Sequence, residues 1–92
     1  MLNDNLKSKT AIIIPAYNEE DIIAQTIASI PSGFTVFTID NGSQDKTAQY
    51  ALEAGSKLIF EHRRGYGRAV HTGFLEAHRL GYTAAVVLDA SP

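Results

Sequence analysis

Residues 10–20 read TAIIIPAYNEE, and the reading of this stretch decides the fold. Ile12, Ile13 and Ile14 form an unbroken apolar run, the pattern of a strand covered on both faces, as strands of parallel sheets are. Pro15 cannot donate a ladder hydrogen bond, so the strand is predicted to end there. Asn18 is a candidate helix cap, and Glu19, Glu20 and Asp21 put negative charge at the positive end of a helix dipole. Ile23, Ile27 and Ile30 then recur at helical spacing as one apolar stripe, and Pro31-Ser32-Gly33 stops the helix.

Outward from this unit the pattern repeats. Phe34–Ile39 is β-branched and aromatic, and reads as a second strand. It runs into the turn Asp40-Asn41-Gly42-Ser43, with Ser43 a possible cap. A helix is predicted over 45–54, with Ala48, Ala51 and Leu52 facing inward and Gly55 as its stop. Leu58–Phe60 is a short third strand, and 62–67 a basic, glycine-bearing loop. A third helix runs to Leu80 with Val70, Gly73, Phe74 and Ala77 on one face. Ala84–Leu88 is a fourth apolar strand with Asp89 at its C-terminal tip. On the N-terminal side, residues 1–9 are polar and aperiodic and read as a lead-in to a domain over 10–92.

The fold class is therefore α/β: a partial doubly wound, Rossmann-like parallel sheet, β-α-β-α-β-α-β, with right-handed crossovers. The strand order is predicted as 3-2-1-4, the first two helices on one face and the third on the other. The order reverses between strands 1 and 4, and such sheets bind ligands at the carboxyl ends beside that switch point.

The whole chain fits one small globular domain: 92 residues, 45 % hydrophobic and 20 % charged. Its composition excludes a disordered tail or a repeat fibre. A net charge of −2 argues against generic binding to nucleic acid or an anionic membrane. The absence of cysteine removes disulfides and thiolate metal sites. No run approaches the ~20 apolar residues of a membrane span, and MLNDNLKSKT is not a secretory signal. The expectation is a cytoplasmic domain without a transmembrane segment, or a membrane-associated one if it is part of a longer protein.

At the predicted carboxyl ends stand Pro15-Ala16-Tyr17-Asn18-Glu19-Glu20 after strand 1, Asp40-Asn41-Gly42-Ser43-Gln44-Asp45 after strand 2, Arg63-Arg64-Gly65-Tyr66-Gly67-Arg68 after strand 3 and Asp89 after strand 4. Singly, each has a plain explanation: a turn cap, a solvated charge run, a helix dipole. His71 and His78 stand about 10 Å apart along a helix, too far to clamp one ion directly. Together the rim residues suit a nucleoside diphosphate. A carboxylate such as Asp40 can accept a ring N–H, backbone groups can hold base and ribose, and arginine can neutralise the diphosphate. Asp89 can reach a divalent metal or the ribose. A dinucleotide fold needs its glycines directly after strand 1, where PAYNEE has none, and there is no Gly-Lys-Ser/Thr of a P-loop.

The segments IIIPAYNEE, TIDNGSQDKTAQYA, RGYGRAVHTGFLEA and VVLDA resemble, in order, the N-terminal nucleotide-sugar-binding half of family 2 glycosyltransferases, which have the GT-A fold. RGYGRA leans toward the branch that transfers sugars to dolichyl or polyprenyl phosphate. The resemblance implies inverting transfer from a UDP- or GDP-sugar with Mg²⁺ or Mn²⁺. It places Pro15, Ala16, Tyr17 and Glu19 at the nucleoside, Asp40 at the base, Arg68 toward the diphosphate and Asp89 at the start of the Asp-x-Asp metal motif. Here that motif reads Asp89-Ala90-Ser91, a hydroxyl where the second carboxylate is expected. Family members run beyond twice this length, with the acceptor site and general base in the other half, and no residue here matches that base. The expectation is a donor-binding domain, catalytically incomplete as 92 residues; a non-catalytic nucleotide-binding or regulatory module and an interaction domain are the alternatives. The apolar strand 4 is expected to form an open edge that supports homo-oligomerisation.

Overall fold

The computed structural model describes residues 4–90. In chain order the elements are α1 (Asp4–Ser8), β1 (Thr10–Ala16), α2 (Ile23–Ala28), β2 (Thr35–Asp40), α3 (Thr47–Glu53), β3 (Lys57–Phe60), α4 (Tyr66–Arg79) and β4 (Ala84–Val87). The four strands form one parallel sheet in the order β3-β2-β1-β4, as the strand–helix alternation predicts. Residues 4–8, aperiodic in sequence, form the short α1. The Ser8 hydroxyl donates to the Asn5 carbonyl and the Thr10 hydroxyl to that of Leu6, and the Lys7 ammonium lies 5.8 Å from the Phe34 ring centroid.

Alternation along β1 divides the interior into two layers. Ile12, Ile14 and Ala16 pack with Ile23, Ile27 and Ala51 under α2 and α3. Ala11 and Ile13 pack with Phe37, Ile39, Ala69 and Ala77 under α4. Helices thus cover both faces, two on one and one on the other, in the predicted arrangement. The fully buried Phe37, Ile13, Ile14 and Ile39 contribute about 1.5–3 kcal/mol each through burial.

Several local expectations are corrected. Asn18 is not a helix cap: it sits at φ 53° in the left-handed region, its Oδ1 accepts the Gln44 N–H, and α2 begins only at Ile23. Ser43 is likewise spent on the neighbouring loop, its hydroxyl accepting the Asn18 N–H. Leu52 is 54 % exposed and Phe74 40 % exposed. On α4 the buried residues are Ala69, Gly73 and Ala77, because a stripe of small residues lets the helix axis settle close to the sheet and turns the larger Phe74 to its flank.

Pro15 does not end β1, which continues to Ala16. The Ile13 carbonyl accepts the Leu88 N–H, whereas the Ala16 carbonyl accepts the Asn41 N–H. Odd positions of β1 therefore address β4 and even positions β2. The missing N–H of Pro15 falls on the β4 side, where pairing stops at Ile13–Val87, while the β2 side pairs on to Ala16–Asp40. Beyond Pro15 the two strands part at their carboxyl ends. No helix among the described residues is long and apolar enough to cross a membrane.

Candidate functional site

The parting of β1 and β4 opens a cleft of about 390 Å³. Pro15, Ala16, Tyr17 and Glu19 line it from β1 and the loop beyond, Asp89 and Ala90 from the end of β4. Asn41 lines it after β2, and Arg64, Gly65, Tyr66 and Ala69 from the entry to α4. Of the residues expected there, Pro15, Ala16, Tyr17, Glu19 and Asp89 meet around one space. Asp40 and Arg68 stand outside the lining. Asp40 is buried and its Oδ1 accepts the Ser43 N–H at 3.0 Å; Arg68 is exposed on the first turn of α4. Ser91 lies outside the described residues.

Strand alternation separates Asp40 from Asn41, and it is the signal that points to Asn41. Phe37 and Ile39 face α4, so Asn41 faces α4 as well, and Asp40 faces the opposite layer. The Asn41 side chain is buried, and its bonding capacity goes into the loop that carries Arg64. Its Nδ2 donates to the carbonyls of Glu61 and Arg63, both at 2.8 Å, and its Oδ1 accepts the Gly65 N–H at 2.9 Å. Gly65 itself has φ 134°, a conformation open in practice to glycine alone.

The loops after β1 and β2 are laced together in the same manner. The Thr47 hydroxyl accepts the Glu19 N–H at 2.8 Å. Asp45 accepts the Thr47 N–H and hydroxyl and, at 3.3 Å, the Glu20 N–H. Burial pushes the Asp45 carboxyl up, but the Thr47 and Glu20 hydrogen bonds outweigh it and leave it below its ordinary value. These side chains fix the PAYNEE backbone beside the cleft.

Across the mouth, the Arg64 guanidinium stacks on Tyr17 with Cζ 3.6 Å from the ring centroid. The Tyr66 hydroxyl donates to Asp89 Oδ1 at 3.0 Å; that bond and the adjacent negative charge raise the Tyr66 phenol. One face of the cleft is thus aromatic and cationic and its rim carries a carboxylate. Among the described residues no three His, Cys, Asp or Glu side chains gather as a metal cage. Asp89 offers hard carboxylate oxygens at the rim, one of them engaged by Tyr66.

Glu61, at the end of β3, anchors the far side of the loop. It accepts the Arg63 N–H, Nε and Nη2, and the Thr72 hydroxyl from α4. The Arg63 side chain, then Thr72 and the Arg63 N–H, hold its carboxyl far below the usual carboxylate range. A carboxyl depressed in the folded state stabilises the fold above its unfolded value near 4.5, and that contribution is lost as pH falls toward the folded value. Urea midpoints measured from pH 7 down to pH 3 should decline. Glu61→Gln should start lower at pH 7 and flatten that decline; an unchanged slope would remove Glu61 as its source.

Cleft and topology together define a doubly wound α/β domain of the GT-A type with an open cleft at its switch point. Residues 11–90 match the model of glycosyl transferase family 2, and the chain belongs to that family. It is 41 % identical over 66 residues to an uncharacterized glycosyltransferase of Mycobacterium tuberculosis, an alignment covering 72 % of this chain and 30 % of that protein. It is 32 % identical over 72 residues to a dolichyl-phosphate hexose transferase of Haloferax volcanii, covering 75 % and 32 %. Among solved structures, glucosyl-3-phosphoglycerate synthase from Mycobacterium tuberculosis, in complex with Mn²⁺, UDP-glucose and phosphoglyceric acid, superposes with a TM-score of 0.70 at 22 % identity, covering 98 % of this chain and 38 % of that one. The chain therefore spans about a third of the length of these proteins.

Proposed function

We propose that the cleft binds the nucleoside diphosphate of a UDP- or GDP-sugar, and that the chain is the donor-binding part of an inverting glycosyltransferase acting on a lipid phosphate or saccharide acceptor. The observation that carries this reading is the juxtaposition of Tyr17, Arg64 and Asp89 around one cleft at the β1/β4 switch point. Its volume falls in the range of small-molecule sites. Tyr17 offers a ring for a planar base, the backbone of 15–19 offers groups for base and ribose, and arginine offers charge for the diphosphate. Family membership supports sugar transfer, and the Haloferax volcanii relative supports a lipid phosphate acceptor.

Asp89 would hold a Mg²⁺ or Mn²⁺ ion together with the donor's phosphate oxygens, and that ion would neutralise charge on the departing diphosphate. The residues of this chain do the rest of the donor's work: Tyr17 positions the base, Arg64 answers the diphosphate charge, and Tyr66 orients Asp89. Transfer also needs a base on the acceptor side; the roles given to Tyr17, Arg64, Tyr66 and Asp89 all concern the donor, and the 92 residues are expected to bind donor without completing transfer.

Calorimetric titration of UDP and GDP, each with and without Mn²⁺, checks the reading. Saturable binding that Mn²⁺ tightens several-fold is expected. Because Asp89 is already engaged by Tyr66, a second reading as a metal-independent nucleotide module predicts the same affinity with and without the ion. Absence of binding by either nucleotide at millimolar concentration would contradict both.

The open edge of β4 extends the proposal to self-association. Residues 83–88 carry no charge, Val86 is half exposed, and among the described residues β4 pairs with β1 alone. Uncharged edges of this kind recruit further strands. Light scattering at about 100 µM should give a mass above the monomer, and Val86→Lys should return it to the monomer. A monomeric mass for the unsubstituted chain would refute the association.

A further inference from the structure

The contact that closes the cleft also occupies it. Arg64 covers the Tyr17 ring at 3.6 Å, and a planar base stacking on that face needs the same space. Neither ion pair among the described residues includes Arg64, so its guanidinium is held chiefly by the aromatic ring, a contact of modest strength at an exposed site. The backbone around it is fixed more firmly. The Arg63 carbonyl and the Gly65 N–H are both bonded to Asn41, and the Arg63 N–H and guanidinium to Glu61. The loop is pinned on either side of Arg64, which leaves the side chain as the part free to swing.

We propose that Arg64 is a two-position residue: in the free protein it caps the Tyr17 ring, and when a nucleoside diphosphate enters it leaves the ring and pairs with the diphosphate. The inference rests on the nucleotide reading above and adds to it a selection device. A nucleoside without phosphates must displace Arg64 and offers the guanidinium nothing in return. A nucleoside diphosphate displaces it and supplies two anionic groups that a guanidinium binds with charge-assisted hydrogen bonds. The self-contact therefore biases the site toward the phosphorylated ligand, with no movement of the fold.

The test compares uridine with UDP on the unsubstituted protein, Arg64→Ala and Arg64→Lys. Uncovering Tyr17 should tighten uridine binding to Arg64→Ala by about two- to fivefold, the equivalent of one exposed cation–π contact. The same variant should bind UDP about tenfold more weakly, through the lost charged pair. Arg64→Lys keeps the charge but loses the planar fork, and should fall between the unsubstituted protein and Arg64→Ala for UDP. Opposite signs for the two ligands support the proposal; changes of one sign, or none, overturn it while leaving UDP binding by the unsubstituted protein intact. Failure of the unsubstituted protein to bind UDP overturns the nucleotide reading itself and this proposal with it. A readout without substitution guards against misfolded variants. The Arg64 side-chain protons should resonate upfield in the free protein, under the Tyr17 ring, and move downfield as UDP saturates; protons that stay upfield overturn the proposal.

Discussion

Gly73→Ala should cost the protein about 1–2 kcal/mol, and Gly73→Val should leave it unfolded at ambient temperature. Gly73 lies in the middle of α4 with its Cα against the sheet, and a Cβ built there falls far inside the van der Waals envelope of Ile13 Cγ2 and within 3.3 Å of Ile13 Cδ1 and Ile39 Cγ1. Ile13 and Ile39 are fully buried and the Ile13 γ-methyl is held at a β-branched carbon, so neither can swing aside. The helix has to lift instead. Overpacking of this kind costs about 1–3 kcal/mol; a contact this close belongs in the upper half of that range, about 2–3 kcal/mol, so the helix propensity that alanine gains, about 1 kcal/mol, offsets only part of it. Thermal unfolding should show the alanine variant melting roughly 5–15 °C lower. Gly67→Ala is the matched control. It stands on the same helix, a Cβ there meets nothing within 4 Å, and its melting temperature should hold or rise. Equal losses at both positions would mean that close approach of α4 to β1 is not what Gly73 provides.

Asn41→Ala is expected to be comparably severe and to strike the site as well as the fold. One side chain satisfies the Glu61 and Arg63 carbonyls and the Gly65 N–H, and Asn41 is only 5 % exposed. Buried groups left without partners cost about 1–3 kcal/mol each, reduced here to the extent that water reaches the exposed Arg63 side. A net loss of about 2–3 kcal/mol is expected, read as a lower urea midpoint. Asn41→Asp tests the same bonds with almost no change of shape. It keeps an acceptor for Gly65 but turns a carboxylate toward two carbonyl oxygens, so it should destabilise at least as much at pH 7 and recover as pH falls and the acid protonates. Both variants should weaken UDP binding by tenfold or more, because the backbone that presents Arg64 and Tyr66 loses its anchor. Full stability in either variant would show that the loop after β3 holds its course without Asn41.

The layers of this molecule were legible because the pattern that specifies them is local. Three isoleucines in succession announce a strand buried on both sides, and alternation of strands with helices leaves few topologies. Helix starts were less legible. Asn18 and Ser43 have the chemistry of caps, yet they bond across to the neighbouring loop, a choice set by which loops the sheet brings together. Leu52 and Phe74 were misplaced because composition does not tell which part of an apolar helix meets the sheet; on α4 the small residues Ala69, Gly73 and Ala77 win the interface by allowing closer approach. At the cleft, strand ends placed the stretch after β1 and Asp89 on one rim, and the family resemblance singled out Pro15, Ala16, Tyr17 and Glu19 within that stretch. Asn41 was within reach from the two-residue alternation through Phe37 and Ile39. Arg64 was not, because nothing in the sequence distinguishes it from Arg63 and Arg68; what sets it apart is that Asn41 and Glu61 pin the backbone on either side of it.

The central claim is that nucleoside diphosphate binds at the parting of β1 and β4, and amide chemical-shift mapping during a UDP titration tests it most directly. The account predicts that the largest shifts fall on Ala16–Glu19, Asn41, 64–69 and Asp89, with little change around the shallow depression lined by Phe74, His78 and Tyr82 on the flank of α4. Shifts concentrated on that flank, or spread evenly over the molecule, would contradict it.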